Sequence, residues 1–213
     1  MNCKLTTSAF GLGDRQKVFG ALLGNGIFTQ DGPAWKHSRD LLRPLFLSNR
    51  VDHFTQIQEH VEALISNIPS HTYLDFQPLF FRFTLDTTTF LLFGRSMNAL
   101  GTQNQDSKEF AGSFRSAQET LAQRGRLGPL YWLIGGKKFR RDCSTVHDFV
   151  DGTIREAMGA RAALGGDEKA ERDFGFLGAL LKDTQDTKVL RDQMLNMLLA
   201  GRDTTACCLT WTM

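Results

Sequence analysis

The stretch from Val189 to Ala200, VLRDQMLNMLLA, is apolar on nearly every side of a helix. A helix of that kind cannot lie on a surface; it crosses a core and must be wrapped by other elements. The rest of the chain supplies helices to do the wrapping. From Asp52 to Ile68, the residues Phe54, Ile57, Val61, Leu64, Ile65 and Ile68 recur on one stripe at helical spacing, and Pro69 closes the segment. PLFFRFTLDTTTFLLFG opens with Pro78 and ends at Gly94, the punctuation of a mostly buried helix.

QDGPAWKHSRDLLRPLF offers Asp31 as a cap, Pro33 in the first turn and Pro44 as a stop. The loop GTQNQD precedes a helix running to about residue 124, which Gly125, Gly128 and Pro129 break. A long amphipathic helix is expected from about Lys138 to Leu164, then GGDEKAERD as a charged surface loop and FLGALLKD as a short helix. Asp186 or Thr187 can cap the last helix. TYLDFQ is the one short strand expected, so the fold class is mainly α with minimal β.

Composition narrows the function classes. A net charge of +2 on 213 residues gives no basic excess for a dedicated nucleic-acid binder. Cysteines stand at 3, 143, 207 and 208 without a CxxC pair, which points to a reduced protein without a zinc site. No run of about 18 apolar residues is present to span a bilayer, and the N-terminus lacks a signal-peptide core.

The last helix breaks a local rule at AGRDTT. Gly201 costs helix stability, and Asp203, Thr204 and Thr205 are weak helix formers. Thr204 stands four residues after Ala200, so its hydroxyl reaches the Ala200 carbonyl and bends or widens the helix. Gly201 leaves room beside the backbone for a small ligand. Asp203 adds a titratable proton carrier, and the three together could relay protons to a bound oxygen species. The same string also fits a helix in which Thr204 satisfies only itself and Asp203 pairs with a neighbouring cation. In PAWKHSRDLLRP, Trp35 and Arg39 share one helix face. They suit a carboxylate clamp, or equally a stacked cation–π pair worth about 1 kcal/mol.

Together and in this order the two constellations resemble the cytochrome P450 family of haem-thiolate monooxygenases. Its WxxxR pattern falls on Trp35 to Arg39, and its [AG]-G-x-[DE]-T-[TS] pattern on Ala200 to Thr205. LLGNGIFTQDGPAWKHSRDLLRPLF and KVLRDQMLNMLLAGRDTTA look most like the fungal branch that hydroxylates alkanes and fatty acids. The resemblance implies that the chain carries the family's C to I helices. It implies haem b, with Trp35 and Arg39 on its propionates and Gly201 lining the oxygen groove. Asp203 and Thr204 would deliver protons, while Ala200 and Phe28 would contact substrate. It further implies electrons from NADPH through a cytochrome reductase, an apolar substrate, O2, and a parent anchored at the endoplasmic reticulum membrane. Lys36, His37 and Arg43 would meet an acidic reductase surface.

The family's ExxR helix and FxxGxRxCxG ligand loop do not occur in residues 1–213, nor do its anchor and first sheet. The expectation is therefore a partial domain, cut within the I helix, lacking the axial cysteine and inactive alone. Its competitors are a non-catalytic helical interaction protein or haem-free relic, and, more weakly, a helical lipid-binding protein.

Overall fold

A computed structural model describes residues 11–47, 54–71, 73–101, 105–164 and 167–213. The helices are α1 (Arg15–Leu23), α2 (Gly32–Leu47), α3 (Phe54–Ser66), α4 (Phe76–Phe93), α5 (Gln105–Leu127), α6 (Gly136–Leu164), α7 (Asp167–Leu180) and α8 (Thr187–Thr212). A 3₁₀ segment, Gly128–Leu133, joins α5 to α6. No strand occurs among the described residues.

Helix α8 is the axle, as its apolar girth requires. It packs most extensively on α4, and α6, α1 and α7 also touch it. Leu190, Met194, Leu195 and Leu198 of α8 are fully buried. They join Phe93 of α4, Phe110 and Phe114 of α5, and Val146, Val150 and Ile154 of α6 in one core. Helix α4 lies between α8, α7 and α3, which is why its sequence is apolar on more than one face. Three of its threonines bond within the helix: Thr84 donates to the Phe80 carbonyl, Thr87 to the Phe83 carbonyl and Thr89 to the Leu85 carbonyl.

Five sequence expectations need correction. TYLDFQ is not a strand: residues 73–75 are unpaired, and the Asp75 carboxylate accepts the Gln77 N–H to start α4. Pro44 does not stop α2, which continues to Leu47; near a helix end a proline forfeits one exposed bond. Asp31 is not a side-chain cap in that role. Its carboxylate accepts the Leu12 N–H, and only its backbone carbonyl receives Trp35 N–H. GGDEKAERD is helical from Asp167 onward, merging into α7 through a kink at Gly175 (φ 54°). That kink lies on α4: a Cβ at Gly175 would stand 2.6 Å from the Leu91 carbonyl oxygen. Finally, α5 runs through Gly125 and breaks only at Gly128. The expected helix start at Asp52, Cys3 and the Gly165–Gly166 pair lie outside the described residues.

Candidate haem-side face and the acid network of the last helix

Asp186 caps α8 by accepting the N–H groups of Lys188 and Val189. One turn further on, three polar side chains interrupt the apolar surface, and all three are buried: Asp192, Gln193 and Asn196. They rope the 24–30 loop to the helix. Asp192 Oδ2 accepts Asn25 N–H at 2.8 Å, and Asn196 Oδ1 accepts Phe28 N–H at 3.1 Å. Asn196 Nδ2 donates to the Leu23 carbonyl at 3.0 Å. Gln193 Nε2 donates to Ser38 Oγ, which donates in turn to Gln30 Oε1. The fit is close, since a Cβ at Gly26 would stand 2.3 Å from Asn196 Nδ2. Phe28 is thus fixed through the turn of α8 that precedes Ala200. The reading of the stretch as apolar on nearly every side gives these three residues no role, although a buried polar run in such a helix demands partners.

Ser38 is 3% exposed and faces α8, while Trp35 and Arg39 sit on the flank of α2. Arg39 is exposed and stands over the half-buried indole at 5.5 Å. The pair therefore forms the cation–π stack. No carboxylate among the described residues pairs with Arg39, so its fork remains available.

Farther along α8, Thr204 donates to the Ala200 carbonyl at 2.6 Å, as the spacing predicts. Thr204, Thr205, Cys207, Cys208 and Trp211 are exposed and give the last turns an open side. Gly201 lies toward α4: a Cβ there would stand 2.9 Å from Thr88 Cγ2. The missing bulk serves a close helix crossing, whereas the sequence reading assigned it to a ligand groove.

Asp203 and Thr204 are neighbours in sequence but point to different partners. Asp203 Oδ2 accepts Gln118 Nε2 at 2.7 Å, and Oδ1 accepts Arg202 Nη1 at 3.0 Å. Arg202 Nη1 also donates to Gln118 Oε1 at 2.6 Å, closing a three-residue ring between α8 and α5. The Arg202 guanidinium stands over two rings, Phe81 at 5.1 Å and Phe114 at 5.6 Å. Burial pushes the Asp203 carboxyl above its ordinary value, opposed by Arg202 and Gln118. Burial also lowers Arg202, opposed by Asp203. Gln118 and Arg202 carry no signal in the local sequence, because 84 positions separate them.

Two features of this arrangement suit a porphyrin. An indole N–H and a free guanidinium suit its carboxylates, and the open α8 side with the small Ala200 suits its oxygen-binding face. No described thiol suits its iron. Cys207 and Cys208 ride α8 itself, and Cys143 is buried with its pKa pushed up to about 12 by desolvation. No cluster of His, Cys, Asp or Glu able to hold a metal ion occurs among the described residues.

A family model described as Cytochrome P450 matches residues 9–213. A curated cytochrome P450 from Arthroderma benhamiae is 52% identical over 89% of this chain and 39% of its own length. Cytochrome P450 52A5 of Candida maltosa is 41% identical over 93% of this chain and 40% of its own. Cytochrome P450 52A1 of Candida tropicalis is 41% identical over 92% and 38%. The solved cytochrome P450DA heme domain superposes with a TM-score of 0.73 at 21% identity, covering 95% of this chain and 45% of that one. This is the helical part of a haem-protein fold. The chain belongs to the cytochrome P450 family, and it spans about 40% of the length of the curated relatives it matches. The family implies haem b, with electrons from NADPH through a reductase.

Proposed function

We propose that this chain forms the oxygen-side helical part of a haem monooxygenase that places one oxygen atom of O2 into a fatty acid or alkane. The observation that carries the reading is the Thr204 hydroxyl, fastened to the Ala200 carbonyl on the open side of α8. Its hydrogen is committed there, so toward that side its oxygen offers lone pairs and accepts a hydrogen bond. The matches to proteins named cytochrome P450 52 support the fungal alkane and fatty-acid branch.

When bound, haem supplies the activation of O2 with electrons delivered by a reductase. Trp35 and Arg39 hold its carboxylates. Phe28, fixed by Asn196, and Ala200 bound the substrate. Asp203 takes up protons, its affinity for them raised by burial, and must leave Gln118 or Arg202 to pass one toward Thr204. Gly201 serves the site through the close crossing on α4. Lys36, His37 and Arg43, all exposed on α2, face an acidic reductase surface.

The parent works at the endoplasmic reticulum membrane. No helix among the described residues is long and apolar enough to cross a membrane. Exposed Leu130, Trp132 and Leu133, next to exposed Lys137 and Lys138, support contact with a lipid surface.

In the complete enzyme, Thr204→Ala should keep NADPH and O2 consumption while the product formed per NADPH falls several-fold. Thr204→Ser should restore it. Unchanged coupling in the alanine variant would remove the role assigned to the hydroxyl.

A further inference from the structure

Between α4, α5 and α8 lies a cleft of about 900 Å³, within the size range of small-molecule sites. It opens on the α5 side of α8, and Thr204 is not among its lining residues, so it is separate from the open face above. Its apolar wall is built from Phe81, Leu85 and Ala111. Its polar lining holds four cationic side chains, Arg82, Lys108, Arg115 and Arg202, against two carboxylates, Glu119 and Asp203.

The charges do not cancel one another locally. Asp203 is already committed to Gln118 and Arg202. Arg82, Lys108 and Arg115 have no ion-pair partner among the described residues. Behind them, the Arg202 side chain is only 7% exposed and its buried Nε has no hydrogen-bond partner. A guanidinium edge left unsatisfied at that depth is costly, and Arg115 is near enough to act on its charge. An anion drawn into the cleft would offset the positive charge that Arg82, Lys108 and Arg115 gather in front of Arg202, and the wall beside it suits an alkyl chain.

We propose that this cleft binds an anionic amphiphile, a carboxylate on an alkyl chain, with its head held by Arg115 in front of Arg202 and its chain against Phe81 and Leu85. The geometry of the α5 helix provides a clean test. At Gly112, which lines the cleft, an added Cβ would meet nothing within 4 Å. Gly112→Leu therefore fills the cleft without disturbing the core, and helix propensity favours the change.

Equilibrium dialysis of the full chain against labelled dodecanoate and dodecanol is the measurement. Dodecanoate should bind saturably and more tightly than dodecanol. The double variant Lys108→Gln/Arg115→Gln, exposed at both positions, should weaken dodecanoate about tenfold, the scale of one charge-assisted hydrogen bond. Gly112→Leu should abolish cleft binding of both. Equal affinity for the acid and the alcohol, indifference to the charge variant, or full binding in Gly112→Leu would each overturn the proposal. So would displacement of dodecanoate by an equal concentration of inorganic phosphate, because the alkyl chain would then contribute nothing.

Discussion

Gly201 of α8 and Thr88 of α4 meet so closely that a Cβ at 201 would lie 2.9 Å from Thr88 Cγ2 and 3.0 Å from its Oγ1. The most extensive helix contact of the fold thus depends on the absence of a side chain at one position. Alanine at 201 would gain about 1 kcal/mol of helix propensity, yet overpacking costs about 1–3 kcal/mol. Gly201→Ala should therefore lose about 1 kcal/mol in urea unfolding. In a Thr88→Ala background, where the obstructing atoms are gone, the same change should become stabilising. A loss of the same size in both backgrounds would dissociate Gly201 from the crossing.

Asn196 is fully buried and makes three bonds: to the Leu23 carbonyl, the Asp192 carbonyl and the Phe28 N–H. Asn196→Ala leaves the loop's groups unpaired, so stability should fall by about 2–3 kcal/mol with the denaturant slope unchanged. Amide exchange at Phe28 should accelerate in parallel. A loss below about 0.5 kcal/mol, the scale of a surface change, would show that the 24–30 loop is held by other contacts.

Much of this architecture is written in local spacing. The stripe from Ile57 to Ile65, the proline and glycine around α4, the Asp186 cap and the Thr204 back-bond each follow from neighbours within one or two turns. What was illegible depends on distant partners or on weak pattern. Helix α1, RQKVFGALL, buries only Val18, Leu22 and Leu23 and shows almost no amphipathic signal. The alternation in TYLDFQ reads as a strand until Asp75 is seen to cap a helix. At the candidate site, motif spacing predicted Thr204 on Ala200, but nothing local predicted that Gln118 would hold Asp203 from 85 positions away.

The Asp203 carboxyl is raised above the ordinary value of 3.8, chiefly by burial. A group of this kind favours the folded state fully below its unfolded pKa and loses that contribution as pH rises through its folded pKa. Replacement by Asn removes the titration. Urea midpoints across a pH series should therefore show Asp203→Asn gaining relative to the unsubstituted chain as pH climbs above 3.8. A gap between the two that stays constant with pH would mean that Arg202 and Gln118 fully offset the desolvation of the carboxylate.

Cys143 is 6% exposed, and burial beside Asp142 holds its thiol near a pKa of about 12. At pH 8 it stays almost entirely in the unreactive thiol form, and access is closed as well. Cys207 and Cys208 are exposed. In a Cys3→Ser chain, a disulfide reagent should titrate two thiols quickly and the third only when denaturant is added. Rapid reaction of all three in the native chain would contradict the packing of α6 on the core.

Leu130, Trp132 and Leu133 stand 51%, 66% and 59% exposed on the turn between α5 and α6. Arg126 precedes them, and Lys137, Lys138, Arg140 and Arg141 follow, all with exposed side chains. An apolar tip inside a basic ring suits an anionic lipid surface, where the rings and alkyl groups enter the interface and the cations remain with the headgroups. Other apolar side chains are exposed as well, Trp211 at 90% among them, so the test needs that control. In vesicle sedimentation, Trp132→Ser should reduce binding about tenfold, the worth of one large apolar side chain. Trp211→Ser should leave it nearly unchanged. Added salt should weaken the interaction of both forms, since the basic ring contributes through screened charges. If Trp211→Ser has the larger effect, the lipid-facing surface is the open end of α8 and the α5–α6 turn has no part in it.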